Sequence, residues 1–469
     1  MPLNSNSPEG TPRQIVKPRL SEIAPSGASI RKFAFYVAVG LTFIRCSLIQ
    51  ELLTYELNFN VYLLYVFGLL TIVGIFFSGT LARLFRFRAA YYWLGYAVWM
   101  TLAVPFSIWK GESFPLVMDY WRTNMVMLVA LGAFITTWEE CKVLIRTLAL
   151  SCIGMLLIVR FFSQLDDNGR LNLKFSLVAN SNDYPAHLLL LMPALLWVAS
   201  TTKSFLLRLI VLGAFGYGLY VILASGSRGA LIAVGVAIVY YLFSASNKQR
   251  LAALALGAVI LAIAFNFLSE QAVHRLFSFS DTSSSQLNEA ATSEEDRTQL
   301  LEDSIMFALK NPIFGVGPGD FSIAEGESRK GFWLEPHNSY TEVACECGIP
   351  AAIFLVAGLV SSFGILRRIG REWGKDVRVK EFTQAAFFLR LSVVAFCSAI
   401  FFLNFAYFFH FPMIGGISIA MGYADEDWKS RLQPAQPDAQ AQTGANLSST
   451  KAQRGNNLAF LPSIAPQKK

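Results

Sequence analysis

The segment Pro336-His337-Asn338-Ser339-Tyr340 sets a histidine directly ahead of a helix start, because Ser339 and Glu342 have the spacing of a capping box. The positive end of a helix disfavours imidazolium. A histidine that stays neutral near pH 7 can accept a proton, which makes His337 the candidate general base. The competing reading is a surface histidine making a local hydrogen bond. Two arginines have turn settings that suit anion binding. Arg228 sits in Ser225-Gly226-Ser227-Arg228-Gly229, and Arg170 closes Asp166-Asp167-Asn168-Gly169-Arg170, ahead of Asn180-Ser181-Asn182-Asp183. A guanidinium held among small residues can offer a phosphate two parallel N–H donors. Generic contact with lipid headgroups is the alternative for either arginine alone. His187 and His410 fall in apolar runs and read as packing or helix-to-helix hydrogen bonds, and His274 lies at a span end.

Other motifs carry less. Gly315-Val316-Gly317-Pro318-Gly319 lacks the Lys-Ser/Thr of a phosphate loop and follows no strand, so it reads as a turn. Cys345 and Cys347 lack two further ligands for zinc, and no metal or cofactor is expected. Glu294-Glu295-Asp296 reads as partners of a helix dipole. Ser293 and Asp296 predict that helix's start, Leu301, Ile305, Ala308 and Leu309 follow at helical spacing, and Pro312 stops it. Ser278–Ser285 reads as a linker.

These residues must be positioned by a membrane protein. Of 469 residues 54% are hydrophobic and only 15% charged, short of the roughly 25% charged in soluble domains. The apolar runs have the length that spans a hydrocarbon core. The expectation is an all-α polytopic protein of about twelve transmembrane helices. They lie near Phe33–Leu53, Phe59–Ser78, Ala89–Trp109, Trp121–Trp138, Val143–Phe162, Asp183–Ser200, Phe205–Ala224, Gly229–Ser246, Leu251–Leu268, Ile349–Leu366, Phe382–Leu403 and Phe405–Tyr423. Residues 1–32 and 424–469 read as disordered cytoplasmic tails. Residues 33–268 hold nine spans, 349–423 hold three, and 269–348 form a large helical extracytoplasmic loop between spans 9 and 10. Arg45 and Arg390 lie inside their runs and read as interior pairing or snorkelling.

Lys and Arg crowd alternate loops (Arg83, Arg86 and Arg88; Lys248 and Arg250; Arg367, Arg368 and Arg371). By the positive-inside rule those loops and both tails are cytoplasmic. The loop 269–348 carries 14 acidic and 5 basic residues, a balance of −9, so the rest of the chain carries +16 of the net +7. The basic pI of about 9.0 is thus a topological signal and excludes a nucleic-acid partner.

In this order the motifs resemble the O-antigen ligase/O-antigen polymerase family of bacterial membrane glycosyltransferases. The resemblance runs from Arg170 to Gly348. It rests on Ser225 to Gly229, Arg297 in the loop helix, Asn311 to Phe321, and His337-Asn338-Ser339-Tyr340 followed by Glu346 and Gly348. Asn180 to Tyr184 resembles the family's Asn-rich signature, with Ser181 where the family pattern has proline. The resemblance implies metal-independent transfer of a glycan from a polyprenyl (undecaprenyl) diphosphate carrier to an acceptor hydroxyl, on the outer face of the bacterial inner membrane. It implies that Arg170 and Arg228 hold the diphosphate and that His337 is the base. Asn338 and Glu342 would position the hydroxyl, with Arg297 and Tyr340 as further substrate contacts. The acceptor would be a lipid A-core sugar, the growing polysaccharide or a protein hydroxyl, and membrane lipids the remaining partners. The competing class is a solute or inorganic-carbon carrier. Carriers place ionisable groups at the midplane and show repeated halves, whereas the candidates here cluster in the outer loops.

Overall fold

The computed structural model describes residues 25–165, 170–175, 178, 180–244, 247, 250–251, 254–255, 257–258, 285–328 and 333–432. Ser21–Asp427 form one compact unit, and Met1–Leu20 with Trp428–Lys469 form a second, of which the last turn of the final helix is described. Among the first unit's described residues, the regular structure is helical apart from one short hairpin. Its helices are α1 (Pro25–Ser47), α2 (Ile49–Leu57), α3 (Leu63–Ser78), α4 (Leu81–Leu84), α5 (Arg88–Ala103), α6 (Lys110–Asp119), α7 (Met125–Phe134) and α8 (Trp138–Phe162). The strands β1 (Ser163–Leu165) and β2 (Leu171–Leu173) pair antiparallel, an exception to the all-α expectation. There follow α9 (Asp183–Thr201), α10 (Phe205–Ala224), α11 (Arg228–Ser244), α12 (Ser285–Lys310), α13 (Phe321–Ser328), α14 (Ser339–Cys347), α15 (Ile349–Trp373), α16 (Lys380–Ala399) and α17 (His410–Leu432).

Among the described residues, five helical segments are long and apolar enough to cross a membrane: Trp138–Phe162, Asp183–Thr201, Phe205–Ala224, Ile349–Trp373 and Val377–Phe402. A sixth arises if α1 and α2, bent by 64°, count as one span, and α3 and α11 are shorter apolar helices. The structure therefore does not bear out a count of about twelve. Several expected spans are interrupted. Leu48 adopts φ 60° and breaks the first. Pro105 ends α5 in a 3-10 turn, where its missing N–H cannot continue the ladder. The fourth opens as a π-helical turn, Tyr120–Asn124, before the ten-residue α7. The twelfth begins as loop, and α17 starts only at His410. Most of the ninth, together with His274 and residues 278–284, lies outside the described residues.

The core forms where α9 packs between α8, α10 and α16, with α1 against α3 and α8, and α15 against α5. Helix α8 starts at a capping box: Thr137 Oγ1 accepts from the Glu140 N–H, and Glu140 Oε2 accepts from the Thr137 N–H. Arg31 of α1 closes that corner on Glu140 at 2.7 Å. Outside the bundle, α12 packs on α14, and α14 leads directly into α15.

Helix α12 begins at Ser285, eight residues before the expected start. The run from Ser285 to Thr292 contains neither Gly nor Pro and is rich in helix formers, so Glu294, Glu295 and Asp296 fall inside the helix. Its end at Lys310, two residues before Pro312, is as expected.

Candidate active site

The His337 helix is tied down on every side. Asn338, in extended backbone, is the N-cap of α14, and its Oδ1 accepts from the N–H groups of Tyr340 (2.9 Å) and Thr341 (3.2 Å). The cap is therefore one residue earlier than the Ser339–Glu342 box expected from spacing. Ser339 turns away instead: its hydroxyl donates to Leu403 O at 2.7 Å and accepts from Phe405 N at 2.8 Å. Glu342 Oε2 accepts from Ala406 N at 3.1 Å, and Tyr340 donates to Cys397 O at 3.0 Å. Burial, then the neighbouring Glu346 carboxylate, pushes the Glu342 carboxyl upward.

One turn on, Glu346 Oε2 accepts from Gly319 N (3.0 Å) and Oε1 from Phe321 N (3.1 Å), and the Tyr407 hydroxyl donates to Oε2. The glycine-rich turn seats on the end of α14, where Val316 N donates to Cys345 O and Gly317 N to Glu346 O. Gly348 has φ +86°, and a Cβ there would lie 2.1 Å from Ile313 O, so only glycine fits. The turn is thus a structural wedge, as its sequence suggested. Asp320 completes it by accepting from Trp109 N at 2.7 Å.

His337, half-buried ahead of this helix, has its pKa lowered to about 4, first by burial and then by the Arg297 cation on α12. The imidazole is neutral at pH 7, as its position suggested. The larger causes are burial and a neighbouring charge, which spacing could not reveal.

The second arm of the site is the turn between α10 and α11. Gly226, at φ +62°, makes the reversal. The buried Ser227 accepts from Ala230 N and caps α11, so Arg228 is the first helical residue. Arg170 donates from Nε to Ser225 O (2.9 Å) and from Nη2 to Asn182 Oδ1 (2.7 Å). Asn180 Oδ1 in turn accepts from Asn182 N at 3.1 Å. The Asn-rich segment and the arginine turn, more than 40 residues apart in sequence, are therefore one hydrogen-bonded unit.

Both arms border a groove of about 700 Å³, within the range of small-molecule pockets. Its walls are Ile232 of α11, Leu301 and Ile305 of α12, Asn338, Tyr340 and Thr341 around the start of α14, and Cys397, Ser398, Phe401 and Phe402 at the end of α16. Arg228 precedes Ile232, and Arg297 precedes Leu301, by four residues, so each shares a helix face with the groove. Asn338 and Tyr340 line the groove, His337 is the residue before Asn338, and Arg228 and Arg297 each lie one helical turn before a residue of its wall. Glu342 is buried behind it. Arg170 is tied to the Arg228 turn through the Ser225 carbonyl. Among the described residues, no group of three His, Cys, Asp or Glu side chains could hold a metal ion.

A helical, multi-span membrane protein with an apolar groove at the start of the helix that follows His337 is the class that fold and site define. A family model described as O-antigen ligase matches residues 213–356. That match supports membership of the chain in the O-antigen ligase/polymerase family and, at family level only, O-antigen ligase-like glycan transfer. The matched stretch contains the Arg228 turn, α12 to α14 and His337, while Arg170 and Asn180 to Asn182 lie before it. No curated protein matches the chain. Nothing in the match favours the carrier reading.

Residues that the motifs did not announce also belong to this assembly. Tyr407 and Asn124 link the end of α14 to the bundle interior, where Arg45 pairs with Asn124 as the interior-pairing reading expected, and the signal of all three was a polar side chain inside an apolar run.

Proposed function

We propose that the protein transfers a glycan from a polyprenyl diphosphate carrier to an acceptor hydroxyl at the outer face of the bacterial inner membrane. A His337 ring nitrogen takes the hydroxyl proton as the oxygen bonds to the anomeric carbon. The bond from that carbon to the phosphate oxygen breaks, and the diphosphate leaves with the bonding electrons. Arg228, at the positive end of α11, faces the charge that develops there. Arg297 supplies a second cation, and Arg170 holds the Arg228 turn and adds to the positive field. Asn338 and Glu342 fix the helix that orients the acceptor, and Tyr340 lines the path of the carrier chain.

The observation that carries this reading is the single groove shared by the Arg228 helix and the start of α14. Its apolar walls suit isoprenoid units, and Arg228 and Arg297, one helical turn before its wall residues Ile232 and Leu301, suit a diphosphate. The neutral state of His337 suits a base. Ligase, polymerase and protein glycosylation readings differ only in the acceptor.

The test is turnover of a polyprenyl-diphosphate glycan by purified protein with candidate acceptors. Wild-type protein should yield glycosylated acceptor, and His337→Ala and Arg228→Ala should each abolish most product while remaining folded. Full turnover by folded His337→Ala would remove the base assignment.

A further inference from the structure

The segment between α16 and α17 is the strap that holds α14, and it is itself held from inside the bundle. Above, Leu403 O, Phe405 N and Ala406 N engage Ser339 and Glu342, and the Tyr407 hydroxyl engages Glu346. Below, Asn124 Nδ2 donates to Tyr407 O at 2.7 Å, and Asn124 Oδ1 accepts from Arg45 Nη2 at 3.0 Å. The Arg45 guanidinium also lies 4.6 Å from the centre of the Phe409 ring in the same strap. The next residue of α1 grips the strap's far end. Cys46 O accepts from His187 Nε2 at 2.9 Å, and His187 Nδ1 pairs with His410 Nε2 at 2.7 Å. Because a carbonyl only accepts, Nε2 of His187 carries its proton. In the neutral pair Nδ1 is then the acceptor and His410 Nε2 the donor.

Two adjacent residues at the end of α1 therefore control both ends of one strap. Arg45 and Asn124 are only 6% and 4% exposed. A buried arginine is costly inside a membrane bundle unless it is paired, and its hydrogen bond to Asn124 runs along this line.

We propose that Arg45 and Asn124 are positioning residues for His337, acting through the strap of residues 403–410 on α14. The inference rests on His337 as the base. Loss of either residue lets the strap and the start of α14 shift, which moves His337 relative to the groove and to Arg297, the charge that faces it from α12. Misplacement by about 1 Å costs on the order of 100-fold in rate.

The experiment compares Arg45→Met, Arg45→Lys, Asn124→Asp and His337→Ala with wild type, purified in lipid nanodiscs. It reads the folded fraction by thermal unfolding, together with kcat, donor KM and the pH dependence of turnover. Asn124→Asp keeps an acceptor for Arg45 but removes the donor to Tyr407 O. Arg45→Met and Asn124→Asp should lower kcat about 10- to 100-fold with donor KM little changed. The acidic limb of the profile should move upward from about 4, toward the ordinary histidine value near 6.5. Arg45→Lys, which can still donate to Asn124 Oδ1, should recover most of kcat. If Arg45→Met fails to fold, Asn124→Asp decides. Folded Asn124→Asp with wild-type kcat and an unmoved acidic limb overturns the proposal, as does a loss confined to folded yield. Failure of the base assignment looks different: His337→Ala keeps turnover, and wild type itself shows no limb near 4.

Discussion

Arg170 donates to the carbonyl of Ser225, three residues before Arg228, while its other arm holds Asn182. The two arginines thus act through one turn, and their substitutions should not add. Arg170→Ala and Arg228→Ala should each lower turnover, and the double variant should fall short of their summed effect by about 0.5–3 kcal/mol. A double-mutant cycle on kcat/KM checks this. Strict additivity would separate Arg170 from the turn.

The His337 environment fixes a pH dependence. With its pKa lowered to about 4, the imidazole is deprotonated above that value, so kcat/KM should hold through pH 5 and fall only as pH approaches 4. An unperturbed histidine would give a midpoint near 6.5. The same shift affects stability. Between about 6.5 and 4 the unfolded chain binds the proton more readily, so this residue lowers stability as pH falls through that window. A rate profile from pH 3.5 to 8, with thermal unfolding at each pH, tests both.

Much of this site was legible in the sequence. His337, Arg228 and Arg297 stand in motifs whose order survives in the structure, and the Asn-rich segment does join Arg170. The turn Gly315 to Gly319 was read as a turn, and His187 and His410 each as packing or a helix-to-helix hydrogen bond; they bond to each other. What was hidden lies in tertiary pairing. Asn338 took the cap because Ser339 found partners in Leu403 and Phe405, far away in sequence. Arg45 and Asn124, 79 residues apart, meet only because α1 and the π-helical turn share the interior. The span count is not borne out among the described residues for a related reason. Hydropathy registers length and composition but does not see a break such as Leu48, where the chain bends inside an apolar run.

Glu346 is a second fixed point of the site. Glu346→Ala leaves the Phe321 N–H without its acceptor, the Gly319 N–H with only the Tyr407 hydroxyl, and that hydroxyl without the carboxylate it donates to. At about 1–3 kcal/mol for each buried unsatisfied group, the unfolding midpoint should drop markedly. Gly348→Ala should be at least as damaging, since its Cβ would meet Ile313 O at 2.1 Å. Gly235→Ala, whose Cβ meets nothing within 4 Å, is the control. Thermal unfolding in detergent orders the three.

Ile305 lies on the groove wall and is 45% exposed, so a polar group there should spare the fold. Ile305→Glu should raise the donor KM about tenfold or more for a long isoprenoid chain, because apolar burial is worth about 0.8 kcal/mol per CH₂. A short, water-soluble carrier should be affected far less. Equal effects on both donors would detach the groove from the lipid chain.

Helix α11 and the 3-10 turn after α16 contribute the groove residues Ile232 and Phe401, each 51% exposed, so one side of the groove faces the surroundings of the bundle. A donor embedded in the bilayer would meet it by lateral diffusion in two dimensions. Encounter frequency then follows the mole fraction of carrier in the lipid, and diluting the membrane with inert phospholipid slows capture even when the total amount of donor is constant. Rate constants for such a protein belong in surface units, and the length of the attached glycan, which projects into water, enters only through drag.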